Sequence, residues 1–350
     1  MLFRQSFIIT MLIATSNQVV GQAIAEQNAT SQVEASEEQN ETPDTEPVLT
    51  YVAPKSFELL VGVKVTSGNG PMAGTLATTV FPTEWPEQDV EIVANNVPAL
   101  FKTSFRDLPG NNKQLILFSR SIPAASTVEA TVRVRITKRH TVGPTDTSEL
   151  TVPRRLDRDT RQYLGDSPYI KTGLAELRKV IREIDASKPD TQWQRIEMFY
   201  DWVRDNIRYE NGELKTLQQA LKDKAGDCEE MTSAFISLCR TAKVPARCVW
   251  IPNHCYPEFY MQVKEGKGHW FPCQVAGTRN FGSMPEYLPI LQKGDRFTVP
   301  EKPGERQRYI ADFLSAKKVS GSKNPKVEFV RQLLGEAAGF RAPDADAAGR

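Results

Sequence analysis

The stretch from Gly226 to Arg247 sets the tightest limits on what this chain can fold into. Gly226 can form a turn, Asp227 is a good helix N-cap, and apolar residues then recur at helical spacing, at Met231, Phe235, Leu238 and Ala242. This pattern predicts a helix that begins close to Cys228 and ends before Pro245. Cys228 would then lie at a helix N-terminus, where unpaired backbone N–H groups and the helix dipole favour thiolate.

Three strands are predicted after this helix, at residues 244–250, 253–263 and 269–274. They place His254 at the start of the second strand and Gln274 at the end of the third. A helix with a cysteine, a strand with a histidine and a strand with a polar orienting residue form the layout of a Cys–His nucleophilic pair. The alternative is that Cys228 is an inert thiol on the buried face of its helix.

Several motifs occur in a fixed order between about residue 168 and Gln274. They are Trp202-Val203, Ile207-Arg208-Tyr209, Leu217 to Leu221, Gly226-Asp227-Cys228, Leu238-Cys239-Arg240, Val244-Pro245-Ala246-Arg247, His254-Cys255-Tyr256-Pro257-Glu258 and Trp270-Phe271-Pro272. In this order they resemble the transglutaminase-like superfamily, which is related to the papain-type cysteine proteases. The resemblance implies that Cys228 is the nucleophile and His254 the general base. The third residue of the family, usually Asp, falls on Gln274.

Gln274 departs from the family pattern. Its amide oxygen can accept the imidazole N–H bond but brings no charge to stabilise imidazolium, although papain-type enzymes use an amide in this role. One reading is a thiol hydrolase or acyltransferase that acts on peptide or protein amides through a thioester. The other is a non-catalytic peptide- or protein-binding module, which the acidic neighbours Glu229 and Glu230 favour because carboxylates oppose thiolate formation. A weaker third reading is a purely structural core.

The backbone N–H of Cys228 is the natural first oxyanion donor. Tyr209, Gln218 and Gln219 are candidates for the second donor. No cofactor is predicted. A zinc site from Cys228, His254, His269 and Cys273 is disfavoured because the sequence has no short-spaced ligand pair. His269 also competes with His254 for the role of base, but it follows a turn at a strand start.

If His254 and Gln274 face each other on antiparallel strands, Cys255 faces Cys273 on the opposite side of the sheet. This register predicts a Cys255–Cys273 disulfide in an oxidising compartment, the alternative being two buried thiols. Cys239 and Cys248 are predicted to be core residues, and Cys228 to be unpaired.

Residues 1–25 are typical of an export signal, with Arg4 before a short apolar run and Ala23-Ile24-Ala25 as a cleavage site. The apolar run is too short to span a membrane. The polar residues 26–47 are predicted to be a disordered linker. We therefore expect an exported protein, periplasmic or extracellular.

An α+β fold with four further regions is predicted after the linker. Alternating apolar residues, as in Phe57, Leu59, Val61, Val63 and Val65, predict a β-sandwich at residues 48–142. Residues 143–165 are predicted to be a linker, 166–300 the transglutaminase-like core with its Cys helix on an antiparallel sheet, and 301–350 a helical extension and frayed tail. In that extension, residues 307–314 and 325–334 are predicted to be short helices.

The 44 basic and 43 acidic residues nearly cancel, so no net field favours nucleic acid. The expected partner is a peptide or protein substrate, and nothing in the sequence predicts an oligomeric state.

Overall fold

The computed structural model describes residues 48–263, 266–318 and 322–339. The predicted export signal, the predicted linker at 26–47 and the end of the predicted frayed tail lie outside the described residues. The described residues form one compact unit. Within the described part of the chain, no helix combines the length and apolar character needed to cross a bilayer.

The structure contains both strands and helices, in an order that separates a β-rich part from a mixed part. The strands are β1 (Thr50–Thr66), β2 (Met72–Phe81), β3 (Gln88–Asn96), β4 (Phe101–Leu108), β5 (Asn112–Ile122), β6 (Thr127–Val142), β7 (Leu150–Thr151), β8 (Arg208–Tyr209), β9 (Ala225–Gly226), β10 (Ala246–Ile251), β11 (His254–Val263), β12 (Gly268–Gln274), β13 (Asn280–Phe281), β14 (Gln292–Lys293), β15 (Phe313–Lys318) and β16 (Lys326–Leu333). The α-helices are α1 (Arg158–Arg161), α2 (Ala175–Ala186), α3 (Gln192–Asn206), α4 (Leu217–Asp223) and α5 (Cys228–Thr241).

Two four-stranded antiparallel sheets form the sandwich, in the orders β16-β1-β6-β3 and β15-β2-β5-β4. Leu59, Val61, Val63 and Val65 of β1 are all fully buried, as alternation in a half-buried strand requires. Their partners on the neighbouring strand β6 are equally apolar, and both sheets contribute to one core. The predicted α+β fold with an N-terminal β-sandwich is confirmed.

The prediction of two helices in the C-terminal extension is wrong: residues 307–314 form an irregular segment that enters β15 at Phe313, and residues 325–334 contain β16. β15 pairs with β2, and β16 pairs with β1 along eight residues. Each strand therefore hydrogen bonds to a strand that would otherwise be an exposed sheet edge. Val327 and Phe329 pack on the sandwich core from β16. This long-range pairing overrides the local preference of the segment.

The core part consists of a sheet in the order β13-β12-β11-β10-β14, with β7 added beside β11. Helix α5 packs on β10 and β11, with α2 and α3 beside it. Phe199, Tyr200 and Phe235 are fully buried between these elements, in one apolar cluster with residues of the sheet. The Cys helix on an antiparallel sheet is therefore as predicted.

The predicted register between the second and third strands of the core is wrong by two residues. It would place Phe259 opposite His269, whereas β11 and β12 pair Phe259 with Phe271. Cys255 and Cys273 consequently have different neighbours. All five cysteines, which lie within the described residues, are free thiols, so the predicted Cys255–Cys273 disulfide is also wrong.

A buried cluster of ionic side chains joins the sandwich to the core. The ammonium group of Lys293 lies 2.6 Å from the carboxylate of Glu87, which precedes β3, and 2.5 Å from that of Glu258 on β11. Arg247 on β10 adds a 2.8 Å bond to Glu258. All four residues are at least nine-tenths buried, so each charge depends on its partners rather than on water.

Candidate active site

Helix α5 begins at Cys228 because the residues around it satisfy its first N–H groups. The Asp227 carboxylate accepts a bond from Glu229 N at 2.7 Å, and the Glu230 carboxylate accepts one from Asp227 N at 2.8 Å. This reciprocal capping box fixes where the helix starts. Gly226 is required there, since a Cβ at this position would lie 2.5 Å from Cβ of Glu230. The thiol is thereby held at the first helical position, as predicted.

His254 reaches the same point from the sheet. It is the first residue of β11, directly after a turn in which Asn253 adopts a left-handed conformation with φ of 58°. The side chains of His254 and Cys228 lie close enough for each to shift the pKa of the other: His254 lowers the pKa of Cys228, and Cys228 raises that of His254. Both residues are 8% exposed and line one cavity of about 580 Å³.

Gln274, the last residue of β12, holds the imidazole from behind. Its side-chain oxygen lies 3.0 Å from Nε2 of His254, and the residue is completely buried. An amide oxygen can only accept, so this bond fixes the tautomer with the proton on Nε2. Nδ1 is then left unprotonated for the thiol. The hydroxyl of Tyr200 donates to the backbone carbonyl of Gln274 at 2.7 Å and secures the strand end.

The surroundings of Cys228 favour the protonated form of its thiol by raising its pKa. Hydrogen bonding with the Cys255 thiol and burial raise the pKa of Cys228, while His254 lowers it without reversing the direction. Burial lowers the pKa of His254, but its interactions with Cys228 and Gln274 raise the pKa by more. The net pKa of His254 is therefore above its ordinary value. The raised pKa of Cys228 favours a protonated thiol, in contrast to the thiolate expected from the helix N-terminus.

The other cysteines do not line this cavity. Cys255 lies behind Cys228, with its sulfur 3.6 Å from the Cys228 carbonyl oxygen. Cys239 and Cys248 are buried core residues, as predicted. The Cys273 sulfur contacts the Pro257 carbonyl at 3.8 Å on another part of the sheet.

His269 lies away from the thiol and lines a second cavity of about 450 Å³ together with Trp270. It is therefore placed neither as a base for Cys228 nor as a partner in the four-residue zinc set considered from the sequence. Among the described residues, no group of three potential ligands lies close enough to hold a metal ion. Of the candidate second oxyanion donors, Tyr209 lines the cavity that contains Cys228 and His254, which we call the cleft. Gln218 and Gln219 are instead exposed on α4.

Sequence reasoning missed one wall of the cleft, which comes from the C-terminal segment. This wall is formed by Arg308, Tyr309, Phe329 and Arg331. The Arg331 guanidinium is held by two 2.7 Å bonds to the Asp312 carboxylate. The alternation of apolar and charged residues in β16 was the available signal, but the same residues also fit a helical pattern.

Comparisons with known proteins agree with this geometry. Residues 178–275 match the model of the transglutaminase-like superfamily. No curated protein matches the sequence significantly. Among solved structures, a protein from Cytophaga hutchinsonii described as a putative cysteine protease has a TM-score of 0.51 at 17% identity, with 81% of this chain and 92% of that one covered. This similarity concerns the fold alone, but it extends far beyond the family match.

A protein from Parabacteroides distasonis described as a putative protease covers 63% of this chain and 47% of its own, at 12% identity. Its TM-score of 0.23 is too low to support a shared fold. The resemblance seen in the sequence motifs is confirmed by the family match: residues 178–275 form a transglutaminase-like core.

Proposed function

We propose that this protein is an exported thiol hydrolase or acyltransferase that acts on peptide or protein amides. The observation that carries the proposal is the arrangement of Cys228 at a helix N-terminus, His254 beside it in the same cavity, and Gln274 behind His254 at 3.0 Å. A nucleophile, a base and an orienting acceptor in this order are the parts that covalent acyl transfer needs.

The reaction begins with general-base catalysis, because the resting thiol is protonated. Nδ1 of His254 takes the proton from Cys228 as the sulfur bonds to the substrate carbonyl carbon. The N–H groups of the first turn of α5 have no partner inside the helix, and that of Cys228 can donate to the oxyanion. Tyr209 lies in the cleft wall as the candidate second donor, and its hydroxyl would have to turn from Asn211 Oδ1, to which it donates at 2.8 Å.

Collapse of the tetrahedral intermediate breaks the C–N bond. The imidazolium of His254 returns its proton to the leaving amine, and a thioester on Cys228 remains. Water then attacks the thioester in hydrolysis, or a second amine does so in acyl transfer, and His254 again takes the proton. Release of the acyl group restores the thiol.

Alkylation of Cys228 tests this chemistry without a known substrate. We expect His254→Ala to slow the reaction with iodoacetamide near neutral pH by about a hundredfold, the lower end of what a general base supplies. His269→Ala is the matched control, because His269 lines the other cavity. Peptide mass spectrometry separates Cys228 from the other thiols, which are at most 3% exposed. Equal rates in wild type and His254→Ala would refute the proposed base.

A non-catalytic peptide-binding module is the second candidate. The raised pKa of Cys228 and the uncharged side chain of Gln274 favour this binding module, since neither stabilises a thiolate before substrate binds. It predicts that peptides bind in the cleft of the wild type and of Cys228→Ala with equal affinity and without turnover. Burst release of an amine from an activated amide substrate, lost in Cys228→Ala, would exclude it.

Export is part of the proposal through the signal-like residues 1–25. It predicts a processed form whose N-terminal residue is Glu26, which N-terminal sequencing of the protein from its producing cells would reveal.

A further inference from the structure

Two acidic residues follow Cys228 directly on α5, and they are used differently. Glu230 points inward, is 3% exposed and binds the backbone N–H groups of Asp227 and Lys215. Burial and the Asp227 carboxylate raise the pKa of Glu230, which weakens its charge. Glu229 instead lines the cleft beside the thiol. An unpaired carboxylate at this position would oppose negative charge on sulfur.

Arg308 lies on the opposite wall of the cleft from Glu229, and its side chain contacts that of Glu229. The two side chains form an ion pair, and each is only about one-quarter exposed, at 27% and 25%. The guanidinium also lies over the rings of Tyr169 and Trp250, with its central carbon 5.5 and 5.4 Å from their centroids. Two aromatic faces and a carboxylate thus fix the position of this cation.

Arg308 also interacts electrostatically with Cys228. Burial lowers the pKa of Arg308, and attraction by Asp227 and Cys228 is among the effects that oppose this lowering. Arg331 lines the same cleft, but its charge is committed to Asp312.

We propose that Arg308 is a positioning residue of the site: its guanidinium neutralises Glu229, so that charge developing on the Cys228 sulfur is not repelled by a carboxylate one residue along the helix. This inference rests on the proposed function. It assigns a role to a residue of the C-terminal segment, outside the transglutaminase-like core at 178–275.

The test must account for every titratable or charged group near the thiol. These groups come from α5 and its cap, from β10 and β11, and from the cleft walls, and they are Asp227, Glu229, Glu230, Cys248, His254, Cys255, Tyr209, Arg308, Tyr309 and Arg331. The variants change only Glu229 and Arg308, so the remaining groups contribute equally to the thiol pKa in all of them.

The experiment measures the alkylation rate of Cys228 against pH in four proteins: wild type, Arg308→Gln, Glu229→Gln and the double variant. Arg308→Gln leaves Glu229 unpaired. We expect a rise of about one pKa unit, seen as alkylation about tenfold slower at each pH below the thiol pKa. Glu229→Gln should react at least as fast as wild type. The double variant should return to within about threefold of it, because the repelling charge is gone.

Two further variants separate charge from packing. Arg308→Lys keeps the charge and loses the planar stacking, and we expect it to stay close to wild type. Arg306→Gln removes a neighbouring exposed arginine and should change nothing. Recovery in the double variant is the readout that a merely structural role would not produce, since Glu229→Gln cannot restore contacts with Tyr169 and Trp250.

Unchanged alkylation in Arg308→Gln would overturn the inference, and so would a double variant as slow as Arg308→Gln alone. Failure of the proposed function gives a different result, namely alkylation that does not depend on His254. The effect of Arg308 on the thiol is measured in either case, so the two failures are distinguishable.

Discussion

Replacing Lys293 with Met tests whether the buried ionic cluster holds the sandwich to the core. Lys293 is 3% exposed, and its ammonium group bonds to Glu87 at 2.6 Å and to Glu258 at 2.5 Å. Methionine has nearly the same length as the aliphatic stem of lysine, whose ammonium group here lies 5.0 Å from the centroid of the Trp85 ring. The substitution therefore removes the charge with little change in volume.

Removing one partner from a buried ion pair costs about 3–5 kcal/mol, because the other charge is left desolvated. Glu258 keeps its 2.8 Å bond to Arg247, so its loss is partial. Glu87 keeps the attraction of Lys138 and a bond from its own backbone N–H. We therefore expect Lys293→Met to lower the free energy of unfolding by about 3 kcal/mol near pH 7.5, the lower end of this range.

The loss should depend on pH. Burial raises the pKa of Glu87, but Lys293 and Lys138 outweigh it and hold that pKa below its ordinary value. In wild type, Glu87 therefore contributes stability above its unfolded pKa of about 4.3, which is lost as pH falls through the folded pKa. Without Lys293, burial raises the folded pKa above the unfolded one. Protonation then relieves the variant, and its deficit shrinks as pH approaches 4.

Urea unfolding followed by tryptophan fluorescence at pH 7.5 and pH 4.5 measures both effects. Lys302→Met is the matched control, since Lys302 forms an exposed pair with Glu305 and should cost no more than about 0.5 kcal/mol. A Lys293→Met variant no less stable than the control would refute the reasoning about the cluster. A deficit that is equal at the two pH values would refute the role of Glu87.

Two further changes probe the site itself. Gln274→Ala removes the acceptor that raises the pKa of His254, and Gln274→Glu adds a negative charge there. In an NMR titration we therefore expect the highest imidazole pKa in Gln274→Glu, an intermediate one in wild type and the lowest in Gln274→Ala. Identical values in all three proteins would contradict the contact. Gly226→Ala forces Cβ against Glu230 and breaks the capping box, which should cost about 1–2 kcal/mol in urea unfolding. Gly212→Ala, where a Cβ would meet nothing within 4 Å, is its control and should be nearly neutral.

The start of α5 and the order of strands after it were predictable because both depend on local pattern. Asp227 caps the helix where the sequence places it, and helical spacing continues to Thr241. Strands β10, β11 and β12 follow close to the predicted bounds. These features are set by residues that are neighbours in sequence, so no distant contact was needed to find them.

The register error has a physical cause in the period of the strand. Alternation fixes which face a side chain occupies, and a shift of two residues leaves every face unchanged. Pairing Phe259 with His269 or with Phe271 therefore satisfies the same pattern. Gln274 still reaches His254 because its long side chain spans the offset, whereas a disulfide between Cys255 and Cys273 has no such reach. The predicted contact between His254 and Gln274 was therefore unaffected by the register error, whereas the disulfide prediction was not.

The missed wall of the cleft has a different cause. In β16, Val327, Phe329 and Val330 fit a helix as well as a strand, and the choice is made by pairing with β1, more than 250 residues earlier in the chain. That same pairing places Phe329 and Arg331 on the cleft. The sandwich therefore supports the strand that completes the cleft beside Cys228, which is why the motifs of the core alone do not reveal this wall.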